Sequence, residues 1–144
     1  MVKFAMNLVL EKYKDSGFKM TPQRLAILEY LEGNTEHPSA EEIYRSVIRK
    51  FPTMSFATVY NTLEMLVSRG RVMELSIDAG KKRFDPDMVP HHHLICRRCR
   101  CIEDVFEDFS IDVSSGTKRN FEVTGHHIAF YGFCPSCQDK NDKG

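Results

Sequence analysis

Four of the five cysteines fall into two Cys-x-x-Cys pairs, Cys96/Cys99 and Cys134/Cys137. Each pair can present both sulfurs from one tight turn, and the two pairs together supply the four thiolates of a closed tetrahedral zinc site. A closed site has no open coordination position, so the spacing predicts a structural zinc rather than a catalytic one. The alternatives are four free thiols buried as small apolar side chains and an iron-sulfur cluster, which the paired spacing disfavours.

The fifth cysteine, Cys101, has no partner at metal-binding spacing. We favour a strand residue packed in a core for this position over a redox role.

Three consecutive histidines, His91, His92 and His93, precede an apolar segment that is predicted to be a strand. Alternate side chains of a strand share a face, so His91 and His93 could bind one ion while His92 points away. Asp104 lies on the next predicted strand, where pairing across the Cys-x-x-Cys turn would bring it near His93, and Asp85 precedes the histidines. Mixed imidazole and carboxylate ligands suit iron(II) or manganese(II), and the alternative reading is a solvated loop.

A predicted helix that begins at Ser55 carries small and amide-bearing residues in its first turns, which suits the approach of a recognition helix to DNA base edges. These candidate DNA contacts are Ser55, Ala57, Thr58, Tyr60 and Asn61. The segment 43–71 holds five cations against Glu64 alone, a local excess that the zero net charge of the whole chain conceals. An ordinary solvated helix face is the alternative explanation.

Helix signals fill the first half of the chain. Apolar periodicity, caps and terminal glycines predict helices at residues 7–15, from Thr21-Pro22 to Gly33, from Ser39 to Pro52 and from Ser55 to Gly70. Two-residue alternation then predicts a basic hairpin over residues 72–85, turning at 78–80. Helices followed by such a hairpin indicate a winged helix-turn-helix.

The second half is β-prone, with predicted strands at residues 94–96, 102–106 and 121–133 and a weak helix at 110–120. We therefore expect an α+β protein with a DNA-binding domain over 1–85, a hinge over 86–90 and a metal-binding domain over 91–144.

The length of 144 residues excludes a large multi-domain enzyme, and no apolar run approaches the roughly 20 residues that span a bilayer. The first residues lack the long apolar region of a signal peptide, so we expect a cytoplasmic protein without a membrane partner. A zinc hydrolase would need a signature such as His-Glu-x-x-His, which the sequence does not contain. Enzymatic turnover is therefore not expected.

Four motifs in order resemble the ferric uptake regulator family of metal-dependent bacterial repressors. They are Thr21-Pro22-Gln23-Arg24, His37-Pro38, the segment 55–63, and the three histidines followed by Leu94-Ile95-Cys96-x-x-Cys99. The resemblance implies a winged helix, a small α/β domain that forms a homodimer, a structural Zn²⁺ on the four cysteines, and a regulatory Fe²⁺ or Mn²⁺ between the domains. It places the regulatory ligands at His37, Asp85, His91, His93 and Asp104. Arg24 is a further candidate DNA contact.

The resemblance is strongest to the peroxide-responsive branch, because the last ligand is Asp104 rather than glutamate. It implies a repressor of a palindromic, A/T-rich operator, in which iron-catalysed oxidation of His37 or His91 releases DNA. The alternative is an iron-, zinc- or manganese-uptake regulator that senses metal concentration without oxidation. An extra metal site of that group would fall on His92 and His126, although Pro90 replaces one expected histidine.

Overall fold

The computed structural model describes residues 11, 17, 19–78, 81–113 and 119–138. The chain divides into two compact units, Met1–Met88 and Val89–Gly144. The described residues form four helices and five strands, which confirms the predicted α+β class. The helix predicted at residues 7–15 lies outside the described residues, except for residue 11.

Three capped helices build the first unit, and they are α1 (Pro22–Leu31), α2 (Ala40–Val47) and α3 (Phe56–Ser68). The hydroxyl oxygens of Thr21, Ser39 and Ser55 accept hydrogen bonds from the backbone N–H three residues later, at 3.2, 3.3 and 3.1 Å. Each hydroxyl thus satisfies an amide that the first helical turn leaves without a partner. Because these signals are local in sequence, the starts of all three helices agree with the prediction.

A hairpin follows the helices, as the two-residue alternation predicts. Its strands are β1 (Met73–Asp78) and β2 (Lys81–Asp85), which pair antiparallel, while residues 79–80 of the turn lie outside the described residues. Phe84 of β2 is 2% exposed and joins the core formed by the three helices. This anchored hairpin is the wing of a winged helix-turn-helix.

The second unit is a three-stranded sheet of order β4-β3-β5, with β3 (His92–Cys96), β4 (Ile102–Val105) and β5 (Ala129–Gly132). The central strand β3 pairs antiparallel with β4 and parallel with β5. A one-turn helix, α4 (Pro135–Gln138), follows β5. The histidine segment therefore lies in the middle of the sheet.

Two predicted elements of the second unit are wrong. Residues 121–128 are not a strand, because within the described part of the chain no strand pairs with them, and Phe121 and Val123 remain 69% and 56% exposed. Residues 110–113 and 119–120 are not helical, and residues 114–118 lie outside the described residues. The strand propensity of residues 121–128 does not form a strand without a neighbouring strand to pair with, and the serines and glycine of residues 110–120 disfavour a helix.

The two units differ in how much apolar surface they bury. The first unit has a contiguous core of aliphatic side chains, including the fully buried Leu28, Ile43 and Leu63. Ile95 is the buried aliphatic residue among the described part of the second unit, where Cys96 and Cys137 are also buried. None of the described helices is both long enough and apolar enough to cross a bilayer.

Ile43→Ala should lower the free energy of unfolding of the first unit by about 2–5 kcal/mol, because it opens a cavity at a side chain with 0% exposure. Arg45→Ala on the exposed face of the same helix should change it by about 0.5 kcal/mol or less. Urea titration followed by circular dichroism measures both variants. Equal unfolding midpoints for the two would contradict the assigned core.

Candidate functional site

The four cysteines of the two Cys-x-x-Cys pairs converge in the second unit. Their sulfur atoms all lie within 4.8 Å of one another, and Cys99 Sγ is 3.7 Å from Cys134 Sγ. Tetrahedral zinc with Zn–S bonds of about 2.3 Å separates its sulfurs by about 3.8 Å. The donor set and spacing therefore fit a structural zinc.

Backbone N–H groups lower the thiol pKa of two of the four cysteines, which favours the thiolate form that binds metal. The N–H of Cys134 donates a hydrogen bond to Cys96 Sγ at 3.4 Å, which lowers the pKa of the Cys96 thiol to about 5. The backbone N–H of Cys101 likewise lowers the pKa of Cys99. Burial raises the pKa of Cys137 to about 12, so a bound cation is needed to ionise this thiol near neutral pH.

Cys101 is exposed and lies one residue before β4, so the expectation that it packs in a core is wrong. Desolvation of its sulfur raises the pKa of Cys101 to about 12, and hydrogen bonds with the side chains of Cys99 and Cys134 add to the shift. Cys101 thus lies beside the sulfur cluster without being one of its four proposed ligands.

A second cluster lies at the other end of β3. His91 Nε2 and His93 Nε2 lie 3.2 and 3.3 Å from the same oxygen, Oδ1 of Asp104. Metal bonds of about 2.0–2.2 Å set at right angles separate neighbouring ligand atoms by about 3 Å. Two imidazoles and one carboxylate are donor types that are typical of non-haem iron(II) sites.

The local backbone explains this convergence. The register of the β3–β4 pair sets His93 directly opposite Asp104. His91 Nδ1 lies 2.6 Å from the carbonyl oxygen of Val89, and because a carbonyl only accepts, Nδ1 carries the proton. A metal could therefore bind at His91 Nε2 while Nδ1 keeps its hydrogen bond to the Val89 carbonyl.

The first unit holds a matching pair, His37 and Asp85. His37 Nε2 is 3.2 Å from Asp85 Oδ2, and both residues are 1% exposed. The pair forms because the N–H of Phe84 donates to the carbonyl oxygen of Pro38 at 2.9 Å, which fixes the segment around His37 against β2. The N–H of Asp87 donates to Asp85 Oδ1 at 2.9 Å and orients the carboxylate.

His92 and His126 also lie together in the second unit, with their rings stacked at 5.3 Å between centroids. His92 Nδ1 accepts a hydrogen bond from the N–H of Ile128 at 3.0 Å, so only Nε2 remains for a metal. Among the described residues, no third histidine, cysteine or carboxylate joins the pair in a ligand group.

Sequence reasoning missed one contact. His127 Nε2 lies 2.7 Å from His93 Nδ1. The His126-His127 pair was a visible signal, but the pairing of β5 with β3 that brings His127 to His93 joins residues far apart in sequence.

The candidate DNA contacts occupy the start of α3. Ser55, Ala57 and Asn61 are exposed, whereas Thr58 and Tyr60 are half-buried. The hydroxyls of Ser55 and Thr58 are hydrogen-bonded at 2.9 Å, and the Tyr60 ring lies 6.3 Å from that of Phe56.

Arg24 and the cations lie on several elements of the first unit. The Arg24 guanidinium donates to the carbonyl oxygen of Lys19, and Lys50 lies 3.7 Å from Glu29. Arg45, Arg49 and Arg69 are exposed.

Comparison with known proteins places the chain in a family. The model of the Ferric uptake regulator family matches residues 15–131. The peroxide operon regulator of Bacillus subtilis (strain 168) is 39% identical over 135 residues, which cover 92% of this chain and 93% of that protein. The chain therefore belongs to the ferric uptake regulator family, as its motifs predict.

Solved structures agree with this assignment. PerR from Streptococcus pyogenes, described for peroxide sensing and gene regulation, is 37% identical with a TM-score of 0.51, and 93% of each chain is covered. The Vibrio cholerae ferric uptake regulator is 33% identical with a TM-score of 0.66, covering 87% of this chain and 98% of that one.

Cys96→Ser should abolish zinc binding and unfold the second unit, because structural zinc contributes on the order of 10 kcal/mol and this unit has a small apolar core. Cys101→Ser is the matched control, since it removes a neighbouring thiol outside the four-ligand set. Zinc per chain and circular dichroism distinguish the two variants. A folded, zinc-loaded Cys96→Ser protein would reject the assignment.

Proposed function

We propose that this chain is a metal-dependent, DNA-binding repressor that senses hydrogen peroxide through oxidation of histidine ligands. The observation that carries the proposal is the convergence of His91 Nε2 and His93 Nε2 on one oxygen of Asp104, a triad suited to ferrous iron. The 39% identity to a protein named peroxide operon regulator supports the same function. The proposed role is regulation rather than enzymatic turnover.

The regulatory ligand set that we propose joins both units. His37 and Asp85 would supply two ligands from the winged helix, and His91, His93 and Asp104 three from the second unit. The donor atoms lie about 3 Å apart within the His37–Asp85 pair and between Asp104 and each of its two histidines, so these pairs would need little rearrangement to bind an ion. An ion held by both halves would fix their relative orientation. Consider an equilibrium between a DNA-binding orientation of the two units and other orientations. Shifting it from 1:99 to 99:1 requires the ion to bind the DNA-binding orientation about 5.5 kcal/mol more tightly.

Ferrous iron in this set would supply the redox chemistry with hydrogen peroxide. In the net reaction an imidazole C–H of His37 or His91 and one H₂O₂ give an oxo-imidazole and one water. The oxidised ring is a poorer ligand, so the ion no longer holds the two units together and DNA is released.

His92 and His126 are proposed as an accessory, weaker metal site, because they offer two nitrogen ligands.

DNA recognition is assigned to α3, with the wing and nearby cations on the phosphates. The proposed operator is palindromic, because a homodimer presents two recognition helices about 34 Å apart. Its proposed A/T-rich composition follows from the family resemblance. The second unit leaves several large apolar side chains exposed, and such surface supports a homodimer interface there. They are Leu94, Phe106, Ile111, Val113, Phe121, Val123 and Tyr131. We place this repressor in the cytoplasm, where its thiols stay reduced.

Asn61→Ala should weaken binding to the cognate operator by about 1–3 kcal/mol and relax preference at one base pair, because an exposed amide can pair with an adenine edge. Arg49→Ala should weaken cognate and random DNA alike and reduce the salt dependence, since an arginine near phosphate contributes charge alone. Electrophoretic mobility shift at several salt concentrations separates the two effects. Equal losses on both DNAs for Asn61→Ala would show that α3 is not the reading helix.

The switch itself is tested by mobility shift with iron(II) or manganese(II), each with and without peroxide. We expect binding with either metal and its loss only with iron and peroxide, accompanied by one added oxygen on His37 or His91 in peptide mass spectra. Asp104→Ala should abolish metal activation, whereas Glu103→Ala on the exposed face of β4 should retain it. Peroxide-insensitive binding with iron would favour a regulator that senses metal concentration. Oxidation confined to cysteines would reject the histidine mechanism.

A further inference from the structure

His127 contacts the one ring nitrogen of His93 that does not face the proposed metal set. His93 Nε2 lies 3.3 Å from Asp104 Oδ1, and His93 Nδ1 lies 2.7 Å from His127 Nε2. His93 is fully buried, while His127 is exposed. A solvent-facing ring therefore contacts a buried candidate ligand directly.

A histidine that binds a metal through Nε2 must carry its proton on Nδ1, and that proton needs an acceptor. For His91 the acceptor is the carbonyl oxygen of Val89, which cannot change its role. His93 lies in the strand, and its Nδ1 faces an imidazole instead. An imidazole can accept or donate at Nε2, so it can hold the tautomer of His93 that leaves Nε2 available.

The backbone holds His127 in place through the following residue. The N–H of His93 donates to the carbonyl oxygen of Ile128 at 3.1 Å, and the N–H of Ile128 donates to His92 Nδ1 at 3.0 Å. His93 is paired with Ala129 in the parallel register of β3 and β5. His127 thus lies just before β5, beside the His93 ring that it contacts.

We propose that His127 is a positioning residue for the regulatory metal. Its Nε2 accepts the Nδ1 proton of His93, fixes the ring orientation and directs the Nε2 lone pair of His93 to the ion. This inference rests on the proposed function, because it takes His93 to be a ligand. It makes metal affinity depend on His127, a residue outside the five proposed ligands.

The test compares His127→Ala with His127→Gln, whose side-chain oxygen can take the place of Nε2 as acceptor. Thr124→Ala, an exposed substitution in the same segment, is the matched control. Manganese(II) affinity of the zinc-loaded protein is measured by the electron paramagnetic resonance of free Mn²⁺. His127→Ala should bind manganese about 10- to 100-fold more weakly, the usual effect of removing such an outer partner. His127→Gln and Thr124→Ala should stay close to wild type.

A second readout reports the hydrogen bond itself. With ¹⁵N-histidine protein and Zn²⁺ added as a diamagnetic probe of the regulatory site, His93 Nδ1 should carry a proton protected from exchange. The protection should persist in His127→Gln and disappear in His127→Ala. Unchanged affinity and protection in His127→Ala would overturn the inference, as would equal affinity losses in both His127 variants.

Asp104→Ala, measured in parallel, separates this inference from the proposed function. If Asp104→Ala leaves manganese affinity unchanged, the ligand set itself is wrong. If Asp104→Ala loses affinity while His127→Ala does not, only the role of His127 is rejected.

Discussion

The pairing register of β3 sets the proposed chemistry of the second unit, because this strand carries donors for both proposed metal sites. His93 lies opposite Asp104, and Cys96 ends the strand where the first Cys-x-x-Cys turn begins. A slip of one residue would send His93 to the other face and place Leu94 opposite Asp104 instead. The four cysteine sulfurs lie at the end of β3 and in the segment that follows β5. A zinc ion bound there would hold these two segments together, next to the strand that carries the histidines.

The His37–Asp85 pair of the first unit depends on long-range backbone pairing in the same way. The hydrogen bond from Phe84 to Pro38 brings β2 beside the segment that enters α2, and it sets His37 against Asp85. His37 lies three residues before the start of α2, and Asp85 ends the wing. Both proposed ligands are therefore attached to elements of the winged helix. A metal that binds them would act directly on elements of the winged helix.

Local signals made most of the fold and much of the site predictable. The helix starts follow from Thr21, Ser39 and Ser55, whose caps act over three residues. The zinc cluster follows from two cysteine pairs, each with the spacing of a metal-binding turn, although the pairs lie far apart in the sequence. The role of His127 and the exposure of Cys101 were not predictable. They depend on the parallel pairing of β5 with β3 and on the direction of the chain after the first cysteine turn. The run at 121–128 has strand propensity but no strand partner among the described residues. Composition cannot show whether such a partner is present.

The central claim is that one regulatory ion takes ligands from both units. Pulsed electron paramagnetic resonance of manganese-loaded, ¹⁵N-histidine protein counts the imidazole nitrogens bound to the ion, with His37→Ala as the comparison. We predict three such nitrogens, from His37, His91 and His93, and two in the variant. Two nitrogens in the wild type, unchanged by His37→Ala, would show that the ion is bound by the second unit alone and would contradict the proposed switch.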